Sequence, residues 1–118
     1  MAENEKTVAL NRRAHHLYAI EDVIEAGIAL TGTEIKSIRA GRVNLAEAYA
    51  RIEKGEAWLI GAHIAPYAEG NRFNHEPTRT RKLLLHRDQI AELVGRTGSK
   101  GQTLVPMRLY LKRGIAKL

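Results

Sequence analysis

Residues 48–52 and 57–64 are two short apolar runs separated by Glu53-Lys54-Gly55-Glu56, and no other feature constrains the fold as strongly. Runs of that length around a compact glycine-bearing turn fold back on each other as an antiparallel hairpin. Tyr49, Trp58 and the flanking aliphatics suit sheet packing. A second alternation covers residues 103–112. Val105, Met107, Leu109 and Leu111 take one side, and Leu104, Pro106, Arg108, Tyr110 and Lys112 the other. One face belongs to a core and the other carries Arg108, Tyr110 and Lys112. Pro106 pushes its segment toward an edge or a bulge. Residues 17–30 are also strand-like, with Glu21-Asp22 and Gly27 as bends or bulges.

Helix signals are fewer. Thr31-Gly32-Thr33-Glu34 is a capping box, with Leu30 and Ile35 placed for a hydrophobic staple. The helix is expected over residues 32–40, stopping at Gly41, with Ile35 and Ile38 toward the core and Lys36, Arg39 and Arg42 on or near the exposed side. A second helix is expected over 87–94, capped by His86, stapled by Leu85 and Ile90 and ended by Gly95, with residues 98–101 as a loop. Residues 1–8 read as a frayed arm. The chain has room for one domain with one modest core. The expected fold is mainly β: a small antiparallel barrel of the oligonucleotide-binding type, about six strands with two or three short flanking helices.

Charge narrows the function. The net charge is +6, and no acidic residue follows Glu92, whereas Arg96, Lys100, Arg108, Lys112, Arg113 and Lys117 do. Such a one-sided segment favours a polyanionic partner, nucleic acid before anionic membrane, since no strongly amphipathic basic helix is present. No apolar run approaches the roughly 18 residues of a membrane helix. The charged N-terminus lacks a signal-peptide segment, so the expected location is cytoplasmic. The chain has no cysteine, which removes disulfides and thiolate metal sites together.

The stretch from Glu69 to Leu85 runs through a Gly/Asn/Pro-punctuated loop into Arg79, Arg81 and Lys82, then into Leu83-Leu84-Leu85. Irregular backbone followed by re-entry to the core places these cations at the mouth of a rigid element, a geometry suited to gripping phosphates. A solvated charged loop is the alternative. Signs of catalysis are lacking. Ser37 sits in mid-helix and Ser99 is the only other serine, which leaves no evident nucleophilic triad. The five histidines have no helical i, i+4 pairing, so no metal or cofactor site is expected. No phosphate-cradling glycine loop occurs either. Glu25 stands beside Ala26-Gly27 in a cationic protein. It either pairs with an arginine or accepts a hydrogen bond from a base amino group.

Blocks along nearly the whole chain carry a family resemblance. They include Ala9-Leu10-Asn11-Arg12-Arg13-Ala14, then Glu25-Ala26-Gly27-Ile28-Ala29-Leu30-Thr31-Gly32-Thr33-Glu34-Ile35-Lys36-Ser37, and Arg39-Ala40-Gly41-Arg42-Val43-Asn44-Leu45. Ala62-His63-Ile64, Pro66-Tyr67, Asn71-Arg72-Phe73-Asn74-His75 and Arg79-Thr80-Arg81-Lys82-Leu83-Leu84-Leu85 follow in order. In this order and spacing the chain resembles the SsrA-binding protein family (small protein B, SmpB). The resemblance implies a non-enzymatic RNA-binding barrel that holds the tRNA-like domain of tmRNA, delivers it to stalled ribosomes and faces the small-subunit decoding region in trans-translation. A monomer is expected on the RNA. The family's RNA-binding positions fall on Asn11, Glu25, Leu84 and Lys117, with Tyr18 and nearby basic groups as neighbours, and His16 on the decoding side. Arg12, Arg13, Lys36, Arg39, Arg79, Arg81, Lys82 and Lys112 complete the expected RNA-binding set. The family's basic tail follows the last barrel strand, and residues 1–118 do not include it. Binding is expected of this chain, and full tagging activity is expected to need the tail. A general RNA-binding barrel of the ribosomal or cold-shock kind is the alternative, and it requires exposed stacking aromatics on a sheet face. A metal-dependent nuclease requires clustered carboxylates or histidines that the spacing does not supply.

Overall fold

The computed structural model of the chain describes residues 5–68, 73–99 and 101–118. Residues 69–72 of the punctuated loop and Lys100 lie outside it, as do residues 1–4. Among the described residues there are nine strands and three helices, in the order β1 (Glu5–Leu10), α1 (Arg12–Leu17), β2 (Gly27–Ile28), α2 (Gly32–Arg39), β3 (Val43–Asn44), β4 (Tyr49–Glu53), β5 (Glu56–Ile60), β6 (His63–Ile64), β7 (Arg81–Leu84), α3 (Arg87–Ser99), β8 (Arg108–Lys112) and β9 (Ile115–Lys117). Seven strands form one antiparallel sheet in the order β1-β8-β9-β2-β7-β5-β4, and β3 pairs with β6 beside it. The sheet curls so that an isolated bridge, Ala50 to Leu104, joins edge strand β4 to the segment entering β8. The result is a partly open barrel of the expected oligonucleotide-binding type. No described helix is long and apolar enough to cross a membrane.

The β4–β5 hairpin closes through Lys54 and Gly55, both at positive φ (53° and 75°), the backbone that matches the twist of paired strands. Arg113 and Gly114 repeat this chemistry (53° and 79°) and create β9, a strand the sequence reading lacks. In α2 the capping box forms as expected. The Thr31 amide donates to Glu34 Oε1 at 2.8 Å and the Glu34 amide to Thr31 Oγ1 at 3.4 Å. The helix closes in a Schellman pattern, Gly41 N–H to Ile38 O and Arg42 N–H to Ser37 O. Ile38 is fully buried among Ile28, Leu45, Leu59, Ile64, Leu83 and Leu109.

Four expectations need correction. The frayed arm is wrong from residue 5 onward. β1 pairs with β8, shifting register between Thr7 and Ala9, and Glu5 and Thr7 both hold Arg108. The strand expected over 17–30 reduces to Gly27–Ile28. Residues 12–17 are helix α1, and the apolar side chains that follow stay largely exposed, Val23 by 77%. That segment is a strap tied by side chains: Asp22 to Arg96 at 2.8 Å and Glu21 to Gln102 at 2.6 Å. α3 passes through Gly95 because Arg96 is held by Asp22 and Gln102, and Thr97 Oγ1 donates to the Leu93 carbonyl. The strand expected over 103–112 begins only at Arg108. Before it, the Pro106 and Met107 carbonyls accept from the Asn11 side chain and backbone amide instead of from a neighbouring strand.

Around Glu34 lies the main polar core. β7 alternates, with Arg81 and Leu83 turned inward and Lys82 and Leu84 outward. Arg81 is therefore 0% exposed. Its Nε donates to Glu34 Oε2 at 2.5 Å and its terminal nitrogens to the carbonyls of Ala62, Pro77 and Glu76. Arg79 turns its fork onto the same carboxylate, at 2.7 and 3.2 Å, and reaches the Ala29 carbonyl. Arg81 has all three side-chain nitrogens engaged inside the fold, which leaves it no donor for a phosphate, whereas Arg79 commits its Nε and one terminal nitrogen and stays 37% exposed. His75 pins the same loop. Its Nε2 donates to the Ile64 carbonyl and its Nδ1 accepts from the Thr33 hydroxyl, both at 2.8 Å.

Two outcomes are expected. Burial alone would raise the Glu34 carboxyl, but the Arg79, Thr31 and Arg81 hydrogen bonds outweigh it and hold the group near 2, against an ordinary 4.5. The folded value is depressed, so this stabilisation is complete above the unfolded value and is lost as pH falls toward about 2. Glu34→Gln should lose about 3–5 kcal/mol at pH 7 and show a weaker fall in urea stability between pH 5 and 3 than the parent. Gly61 has φ +81°, and a Cβ there would sit 2.8 Å from the Glu47 carbonyl oxygen. Gly61→Ala should lower stability by about 2 kcal/mol or more, read from the same urea curves.

Candidate nucleic-acid interface

Registers across the sheet assemble one outward row. Leu84 pairs with Gly27, Gly27 with Lys117, Lys117 with Tyr110 and Tyr110 with Thr7. Residues directly opposite in paired strands share a face, so four strands beyond β7 contribute to a single surface. Gly27 leaves that surface low. A Cβ there would approach the Leu84 Cβ to 3.1 Å, and without it Leu84 leans across β2 while remaining 52% exposed. Lys82 lies two residues along β7 on the same side and pairs with Glu56 at 3.1 Å. Lys112, two residues beyond Tyr110 in β8, is exposed as well.

Glu25 enters this surface from the end of the strap, just before β2. Ala26 fixes its backbone through two hydrogen bonds with Leu118, at 2.8 and 2.9 Å. The Tyr110 hydroxyl donates to Glu25 Oε2, and Lys112 Nζ lies 3.6 Å from the same oxygen. The Tyr110 bond, with the charges of Lys112 and Lys117, lowers the Glu25 carboxyl below its usual range against a smaller desolvation effect. Tyr110 shifts the other way, to about 12, through burial first and then through Glu25. Tyr110 is only 7% exposed, and the Arg108 guanidinium stacks on its ring, 3.9 Å from the ring centroid. Arg108 is held in turn by Glu5 at 2.6 Å and Thr7 at 2.8 Å.

The expected site residues therefore separate. Glu25, Leu84, Lys112 and Lys117 meet on one face, with Lys82 beside them. Tyr18 is exposed and, with Glu25 and Tyr110, lines a cavity of about 750 Å³ between the strap, α3 and residues 101–108. Asn11 is elsewhere and 5% exposed. It caps α1 by accepting from the Ala14 amide, and its Nδ2 donates to Pro106 O at 2.9 Å and Leu45 O at 3.5 Å. The amide expected to meet RNA is thus engaged in joining α1 to the barrel. Arg12, Arg13 and His16 lie exposed on α1, with Arg13 bonded to Glu47 at 3.2 Å. Lys36 and Arg39 lie exposed on α2, with Lys36 Nζ 5.4 Å from the Tyr67 ring centroid. The exposed cations of these two helices are a second group, outside the row of Leu84, Gly27 and Lys117. The roles of Gly27, Arg108 and Tyr110 were missed, although Arg108 and Tyr110 share the outward phase of the predicted strand.

Comparison with known proteins agrees with this architecture. The family model described as SmpB protein matches residues 8–118. An SsrA-binding protein from Desulfitobacterium hafniense (strain DSM 10664 / DCB-2) is 58% identical over 117 residues, covering 99% of this chain and 75% of that protein. One from Anoxybacillus flavithermus (strain DSM 21510 / WK1) is 59% identical over 113 residues, covering 96% and 73%. A solved chain from "tmRNA-SmpB: a journey to the center of the bacterial ribosome" superposes with a TM-score of 0.75 at 50% identity, over 92% of this chain and 77% of that one. Matched along nearly its whole length in both sequence and fold, the chain belongs to the SmpB family.

Proposed function

We propose that this chain is a non-enzymatic, cytoplasmic RNA-binding domain that holds the tRNA-like domain of tmRNA and delivers it to stalled ribosomes for trans-translation. The name borne by its relatives and the tmRNA-bound, ribosomal setting of the solved neighbour support the partners. One observation carries the placement: the register that sets Leu84, Gly27 and Lys117 in line beside Glu25. An apolar side chain, a carboxylate and two ammonium groups then share a few strand widths. Ammonium groups position phosphates, whereas a carboxylate and an exposed leucine read what phosphate contacts leave unread. Irregular tRNA-like folds present exposed bases and ribose hydroxyls to such a surface.

The second group, Arg12, Arg13, His16, Lys36 and Arg39, is assigned to RNA backbone on the ribosomal side, with His16 toward the decoding region. Tyr18 and Lys82 border the first face. Asn11, Arg79 and Arg81 serve the RNA only by fixing the frame. The domain acts as one unit and binds RNA as a monomer.

The test is a titration of the chain with a tRNA-like tmRNA fragment at physiological salt, with ordinary tRNA as competitor. Tight binding that excess tRNA fails to displace is expected; equal competition by any tRNA would reduce the surface to a generic cationic one. Lys117→Ala should weaken binding and make the salt dependence shallower by about one phosphate contact. Glu25→Ala should weaken binding about fivefold or more, although removing a negative charge from a chain of net charge +6 favours RNA in simple electrostatics. Tighter binding by Glu25→Ala would sink the assigned role.

A further inference from the structure

Tyr110, Arg108 and the first strand form a relay that ends on Glu25. Glu25 stands on an irregular segment, and its partly exposed side chain has three torsions to settle. A carboxylate free to sample them would lose that freedom on meeting RNA, and the affinity would fall accordingly. The Tyr110 hydroxyl and Lys112 both engage Oε2. Among the described residues, Oε1 accepts no hydrogen bond. The Tyr110 ring cannot swing away, since Arg108 covers it and Arg108 is gripped by Glu5 and Thr7 of β1.

We propose that Tyr110 is a positioning residue for RNA recognition: its hydroxyl fixes the Glu25 carboxylate with Oε1 free to accept from a hydrogen-bond donor on the RNA, while Arg108, anchored by β1, fixes the Tyr110 ring. This inference rests on the reading that the Glu25 face binds the tRNA-like domain. Tyr110 itself makes no demand on the RNA. Its hydroxyl is occupied and its ring is covered, so its contribution passes through Glu25 alone. Positioning by a second group is what separates a surface carboxylate that merely repels phosphate from one that reads a donor.

A double-mutant cycle on the 118-residue chain tests this, with affinity for the tRNA-like fragment measured for the parent, Tyr110→Phe, Glu25→Ala and the double variant. Tyr110→Phe keeps the ring and the Arg108 stack, and should weaken binding about five- to tenfold with an unchanged salt slope, since no charge is lost. In the Glu25→Ala background it should change affinity by less than about twofold, the non-additivity of groups that act as a unit. Equal weakening in both backgrounds would overturn the proposal, because Tyr110 would then act on the RNA or the fold directly. So would full affinity of Tyr110→Phe alongside a weakened Glu25→Ala. If Glu25→Ala and Lys117→Ala both bind normally, the face itself is misassigned. The bond can also be read without altering the hydroxyl. By ultraviolet titration one tyrosine of the parent should ionise near pH 12, and Glu25→Ala should bring it down; no movement would show that the hydroxyl does not engage the carboxylate.

Discussion

Glu34 is the charge on which the fold turns. Its carboxylate is fully buried and accepts from the Thr31 amide and from two arginines placed 45 and 47 residues later. Taking a carboxylate out of water costs several kcal/mol unless its lone pairs are met, and here donors meet both oxygens. The same contacts hold three pieces of chain: the first turn of α2, the entry into β7 and, through Arg81, the carbonyls of Ala62, Glu76 and Pro77. Among the described residues no buried side-chain polar atom lacks a partner. The network therefore fixes geometry without leaving a desolvated group uncompensated.

That inner network sets the outer face. β7 is four residues long and alternates strictly, so seating Arg81 on Glu34 forces Lys82 and Leu84 outward. A slip of one residue would put Thr80 or Lys82 in the place of Arg81 against the carboxylate and turn Arg81 into solvent, at great cost inside and with loss of the row outside. With Leu84 fixed, Gly27 and Lys117 follow from the pairing of β2 with its two neighbours. The buried ion network and the exposed row of Leu84, Gly27 and Lys117 are two sides of one register.

Local chemistry was legible in the sequence, and distant partners were not. The capping box at Thr31 and the Lys54-Gly55 hairpin were read correctly because both are settled within four residues. Glu34 was read as a cap and nothing more, since its arginines lie far along the chain and no periodicity points to them. Arg81 was placed on the surface by its charge, although inward-facing Leu83 two residues on already fixed its side. The resemblance gives Asn11 as an RNA-binding position, and its local duty as the N-cap of a short helix is not legible without that helix. β1 is hidden by its polar start, Glu5 and Thr7, whose side chains hold Arg108. The strap misleads in the opposite sense: Tyr18, Ile20 and Val23 have strand-like character but remain exposed. What holds that segment is Asp22, Glu21 and Ala26, which pair with residues the sequence places far away.

The Glu25 face also bears on how a basic protein achieves selectivity. Net positive charge attracts every RNA and distinguishes none. A carboxylate among ammonium groups subtracts from that general attraction, so retaining it makes physical sense only where the correct RNA returns more than the charge takes away. An RNA that brings a donor to Glu25 gains a charge-assisted hydrogen bond, and one that brings a phosphate meets repulsion. The Tyr110 hydrogen bond first, and then Lys112 and Lys117, hold the Glu25 carboxyl below its usual range; on the proposed reading Tyr110 also keeps it still, and Leu84 adds a contact that a phosphate backbone cannot match. On the proposed reading, selectivity for a tRNA-like fold arises from the penalty that this one acidic group imposes on everything else.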